Sequence, residues 1–133
     1  MVIYSNTAEQ VLAVNQSLTL TKISGCACNA QVNPIPGAKV KGNGNFIAAF
    51  SGNIASATAS VPIQLSIAIN GTPIPTTAMS DTPAAADTFR NVSTVTGFSG
   101  NCCCLGTTIT VVNTGTNPVT VAANSSLVVW QDD

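Results

Sequence analysis

From Val61 to Asn70 the chain alternates almost without a break. Val61, Ile63, Leu65, Ile67 and Ile69 fall on one face, and Gln64, Ser66 and Asn70 on the other. A period of two belongs to a strand with one face buried and one face wet. Asn70-Gly71 then supplies the positive-φ residues of a tight turn, and Pro73 and Pro75 keep the next stretch at an edge or in a loop.

The same pattern recurs along the chain. Ser17 to Ile23 alternates Thr with Leu18 and Leu20, and Asn45 to Phe50 puts Phe46, Ala48 and Phe50 on one side. Thr88 to Phe98 is rich in Val and Thr, Leu105 to Asn113 sets Ile109 and Val111 in phase, and a last strand runs from Val119 to Trp130. Breakers separate these runs: Asn33-Pro34-Ile35-Pro36-Gly37, Gly42-Asn43-Gly44, Ser51-Gly52-Asn53 and Asn113 to Pro118. Ala55 to Ala59 and Pro83 to Ala86 read as loops, the latter with room for one helical turn because Pro suits a first helical position. No amphipathic helix is evident. Short strands punctuated by Gly, Pro and Asn predict an all-β sandwich or barrel. No fixed-period repeat and no linker interrupts the chain, so residues 1–133 are expected to form one domain. Residues 1–21 read either as a first strand or as an N-terminal arm, and Val11-Leu12-Ala13-Val14 suits both.

Composition adds a second expectation. The chain is 45% hydrophobic, but it holds only four Phe, one Tyr and one Trp. A core so light in large side chains is commonly completed by association with further copies. Charged residues make up 7% of the chain, against about a quarter in an ordinary soluble domain. Thr, Ser, Asn and Gln take their place on the surface. A net charge of −1 without a basic stripe disfavours nucleic acid as a partner. The early apolar cluster is too short to span a membrane, and Met1 to Asn6 has neither the basic start nor the apolar run of a signal peptide. Synthesis in a cytoplasm is the expectation. Four Asn-x-Ser/Thr triplets (at Asn15, Asn70, Asn91 and Asn124) fit chance in a chain so rich in these residues.

Little remains for chemistry. The cysteines form two clusters, Cys26-Ala27-Cys28 and Cys102-Cys103-Cys104. Four thiolates would suit zinc, but structural sites space paired cysteines by two to four residues, and no histidine is present. Adjacent cysteines in a strand also point to opposite faces. No Cys-x-x-Cys redox motif occurs. Small reduced core thiols and disulfides, within or between subunits, both remain open, with the odd count leaving one thiol over. Asp81 and Asp87 flank a Thr-Pro-Ala-Ala-Ala loop, where they read as solvated turn acids rather than as a calcium pair. A serine nucleophile would have only Lys22, Lys39 or Lys41 as a base, none in a Ser-x-x-Lys motif. No catalytic, cofactor-binding or metal residue is assigned, no cofactor is expected, and the chain does not read as an enzyme. Trp130 reads as a packing anchor of the last strand, and Arg90 as a partner for Asp81 or Asp87.

Residues 45–131 carry a resemblance. A Phe-containing strand ends in Phe50-Ser51-Gly52-Asn53-Ile54-Ala55, and Ile63 to Asn70 leads into Gly71-Thr72-Pro73-Ile74-Pro75-Thr76-Thr77. Next come Thr82-Pro83-Ala84-Ala85, a Phe89-to-Phe98 strand, the Cys102-Cys103 step and Ile109 to Thr114. This order resembles small structural proteins of tailed bacteriophages of gut Firmicutes, seen as capsid decoration or head-fibre proteins. More remotely it is similar to the trimeric jelly rolls of the tumour-necrosis-factor and complement-C1q type, including the C-terminal domains of exosporium collagen-like proteins. Where related chains carry an arginine-rich strand, Ala38 to Gly44 stands here.

The resemblance implies a homotrimeric jelly-roll β-sandwich on the exterior of a virion, made in a bacterial host. Its partners would be two further copies of itself and the major capsid protein, with no enzymatic site. The alternative is a receptor- or glycan-binding jelly roll on a phage tail or spore surface, with a host-surface glycan as partner. Such a tip would be expected to show an aromatic platform or an acidic calcium cluster.

Overall fold

The computed structural model describes residues 2–24, 35–40, 44–100 and 107–132. All five cysteines and Lys41 lie outside the described residues, so the thiol, disulfide and zinc options lie there too.

Among the described residues, thirteen strands run in the order β1 (Val2–Ser5), β2 (Gln10–Leu12), β3 (Thr19–Ser24), β4 (Ile35–Pro36), β5 (Ala38–Val40), β6 (Gly44–Ala55), β7 (Ile63–Ile69), β8 (Thr72–Pro73), β9 (Met79–Asp81), β10 (Arg90–Gly100), β11 (Thr107–Asn113), β12 (Val119–Val121) and β13 (Ser126–Asp132). They form two antiparallel sheets. The first has the order β2-β12-β6-β13-β1-β3-β4, with β10 added to β6; the second has the order β5-β11-β7-β8, with β9 added to β7. Both β10 and β13 pair with the same stretch of β6, so they lie on its opposite sides.

The alternation read from the sequence sets what each sheet buries. Tyr4, Phe46, Phe50, Ile54, Leu127 and Val129 from the first sheet meet Ile63, Leu65, Ile67, Ile109 and Val111 from the second in one apolar cluster. The cluster draws on Leu, Ile, Val and Ala more than on rings. Asn70 (φ 52°) and Gly71 (φ 86°) both take positive φ, as the turn after β7 requires.

At the N-terminus, β1 lies inside the first sheet, between β13 and β3. Between β2 and β3, both strands of the first sheet, the chain makes an excursion to the second. Asn15 N–H donates to Asn113 O, Asn113 N–H to Gln16 O and Leu18 N–H to Val111 O, so this segment lies along β11 of the second sheet. The Gln10 side chain then works as a surrogate peptide: its Nε2 donates to Thr19 O at 2.8 Å, and its Oε1 accepts from Thr19 N at 2.9 Å. That satisfies backbone groups at the point where the chain returns to the first sheet.

Three expectations are corrected. Ser51-Gly52-Asn53 does not break the chain; β6 continues through it to Ala55. Gly52 is demanded by packing there, since a Cβ would lie 2.8 Å from Ser125 Cβ and 3.1 Å from the Phe50 ring. The run from Val119 to Trp130 is two strands, because the chain turns at Ala122–Ser125 with Asn124 at φ 67°. Pro83 to Ala86 holds no helical turn; a 3₁₀ turn forms instead at Pro75–Thr77, closed by the buried Thr77 hydroxyl donating to Ile74 O at 2.6 Å.

Candidate assembly face

The inner rows of the first sheet are filled by the core. Its outer rows are set by register. Val95 of β10 pairs with Ala49 of β6, Ala49 with Val128 of β13, and Val128 with Ile3 of β1. These four residues form an apolar row across four strands. The next row joins Gly97, Ile47 and Trp130. On the other side of the apolar band, Ser93, Ser51 and Ser126 make a row of hydroxyls, and beyond it Asn91 pairs with Asn53, their side chains 3.3 Å apart. Each row holds one kind of chemistry, and none of these residues is charged.

The face is open. Val95 is 62% exposed, Ile23 of the neighbouring β3 is 57% exposed, and Ala49, Val128, Trp130 and Ile3 are half-buried. Small side chains in the middle leave a shallow depression of about 470 Å³, bordered by Ala49, Ser51, Ser93, Val95, Ser126 and Val128. Scattered exposed apolar residues need no explanation, whereas a contiguous band across several strands marks a contact surface.

At the border of this face lies β10. It pairs with β6 over eleven residues without a register shift, and among the described strands no other pairs with it. Isolated edges are normally blunted by proline, lysine, bulges or shortness. Here the only charge is Arg90 at the start, and there is no proline. Phe98 stacks on Phe46 at 5.5 Å, which fixes the far end of the strand to the core.

Trp130 therefore differs from its expected role. It belongs to the last strand, but it stands on the outer row opposite Ile47 and not in the core. Arg90 does pair with Asp81, Nε to Oδ2 at 2.9 Å, within one chain. Asp81 is thus an ion-pair partner at the end of β9, only 20% exposed, and not a solvated turn acid. Asp87 is exposed in the loop beyond it, at φ 57°. Among the described residues, no group of three or more metal-ligating side chains comes together. The sequence alone does not reveal the apolar row, because its members come from four distant segments and only register aligns them.

No family model and no curated protein matches the chain. Among solved structures it is similar to Eiger TNF from S. frugiperda, with a TM-score of 0.68 over 100% of this chain and 94% of that one, at 7% sequence identity. A likeness at that identity speaks to architecture alone. Two packed antiparallel sheets, the strand order and this neighbour together make the chain, in fold, an all-β jelly-roll sandwich of the tumour-necrosis-factor type.

Proposed function

We propose that the chain is a virion structural subunit, a capsid decoration protein that assembles as a homotrimer through the outer face of its first sheet and binds the major capsid protein on the shell exterior. The observation that carries this reading is the open apolar row Val95–Ala49–Val128–Ile3 on a nearly charge-free sandwich. Burying a side chain of valine or isoleucine size contributes roughly 1.5–3 kcal/mol. A face with such a row in every subunit gains several of these at once. Packing of this kind does not weaken with salt as ion pairs do, which suits a particle surface exposed to varied media. A decoration protein stabilises a shell by binding its assembled form, by mass action. No catalytic role is proposed.

Light scattering on the purified chain, with and without reductant, tests the assembly. A mass of three chains in both conditions is the expected result, and a monomer in both would overturn it. Co-sedimentation with assembled shells and with dissociated capsid protein tests the partner. Binding to shells alone is expected, and no binding to either would remove the decoration role.

A further inference from the structure

On the opposite sheet, away from the assembly face, the loop after β11 and the β7–β9 edge enclose a small groove of about 240 Å³. Gln64, Ser80, Asp81, Thr82, Thr114 and Thr116 supply its polar wall. The wall is built rather than merely polar. Gln64 Nε2 donates to Thr114 Oγ1 at 2.9 Å, while its Oε1 accepts from Ser80 Oγ at 3.0 Å, so the amide is held at both ends. The loop is pinned beneath: Asn113 Oδ1 accepts from Gly115 N at 3.0 Å, and Asn117 Nδ2 donates to Pro62 O at 2.8 Å. Gly115 lets the loop come this close, since a Cβ there would meet Gln64 N at 3.1 Å.

The chemistry of the wall selects its ligand by exclusion. The single carboxylate is paired with Arg90, so the groove has no strong field for a free anion or cation. Hydroxyls and an amide repel an apolar guest, whose entry would strip them of water without replacing the hydrogen bonds. What matches is a neutral molecule whose own hydroxyls both donate and accept, as those of Ser and Thr do. The volume lies below that of pockets for drug-sized ligands, which suits one ring.

We infer that this groove binds a single pyranose ring of a neutral glycan. Without an aromatic platform the affinity of one groove is weak, in the millimolar range. Many copies on one particle would turn weak contacts into firm attachment through effective concentration. The groove lies within one chain, so a monomer and a trimer would carry it alike.

The test is a titration of the isotopically labelled chain with methyl glucoside, methyl galactoside and N-acetylglucosamine, monitored by amide NMR, with glycerol as control. Saturable shifts at Gln64, Ser80, Gly115 and Thr116 with at least one ring sugar, and not with glycerol, are expected. Thr116→Val should weaken binding about ten-fold, the equivalent of one lost hydrogen bond. Gly115→Ala should close the groove to a similar degree. No saturable shift with any of the three sugars would overturn the inference. So would equal shifts with glycerol, or shifts unchanged in Thr116→Val. None of these results depends on the mass of the assembly.

Discussion

Arg90, the first residue of β10, holds Asp81, the last residue of β9, at 2.9 Å and so ties the first sheet to the second at one edge of the sandwich. The pair closes the exposed loop between them. With Arg90 60% exposed, water and salt screen much of the attraction. Arg90→Ala should therefore cost no more than about 1 kcal/mol, read from the urea midpoint. The loss should shrink further when salt is added.

Asn6 is a different case. It is buried, and its Oδ1 accepts from both the backbone N–H and the hydroxyl of Ser125. Its Nδ2 donates to Ala122 O at 2.8 Å and to Ala8 O at 3.1 Å. One side chain thus ties the end of β1 to the turn between β12 and β13. Asn6→Ala leaves several buried groups without partners, at about 1–3 kcal/mol each. A loss of about 3 kcal/mol or more is expected in urea unfolding. Asn6→Asp should rescue only part of it, since a carboxylate cannot donate to Ala122 O.

Ala49 carries the test of the apolar row. Its side chain faces outward between Val95 and Val128, so a larger residue there does not enter the core. Ala49→Arg should reduce the mass to one chain while far-ultraviolet circular dichroism stays unchanged. A trimer that survives this substitution would move the interface elsewhere on the molecule.

Tyr4 gives the chain an alkaline limit. Its ring is fully buried, and desolvation raises its phenol above the usual tyrosine range. The folded state keeps the proton where the unfolded state releases it. The stability this group contributes is therefore whole below the unfolded value of about 10, and it is lost as pH rises from there towards the folded value. As the chain has only one tyrosine, phenolate absorbance reports it directly. Phenolate should appear together with unfolding. Tyr4→Phe should flatten that part of the alkaline profile at little cost, because the bond to Lys39 O is long, at 3.4 Å.

The fold is most legible in the sequence where burial differs between two faces. In β7, Ile63, Leu65 and Ile67 face the core as their alternation implies, and Asn70-Gly71 turns where its chemistry demands. The wet face is not wet throughout, however, since Ser66 and Ala68 are buried too and Ile69 is only half-buried. Gly52 is ambiguous because glycine signals a break as well as a close approach, and only the Phe50 ring and Ser125 across the fold tell the two apart. Beyond Val119 the chain reads as one strand because Val119, Val121, Leu127 and Val129 share a phase, although Asn124 turns the chain between them. Trp130 misleads for a related reason. Alternation says that it opposes Val129, but a tryptophan on the wetter side of a strand makes sense only next to Ile47 and Gly97, which register alone places there.

The uninterrupted edge of β10 has a bearing on how the protein must be made. Its pairing with β6 joins segments far apart in the chain, and such contacts form late in folding. Left uncovered, this edge offers an unblunted template to any other nascent chain. High local synthesis rates thus help and endanger the product at once: they hasten correct closure between finished copies, and they multiply encounters between unfinished ones. Under the proposed assembly, a chain of this design does best where its copies emerge together and close on one another promptly.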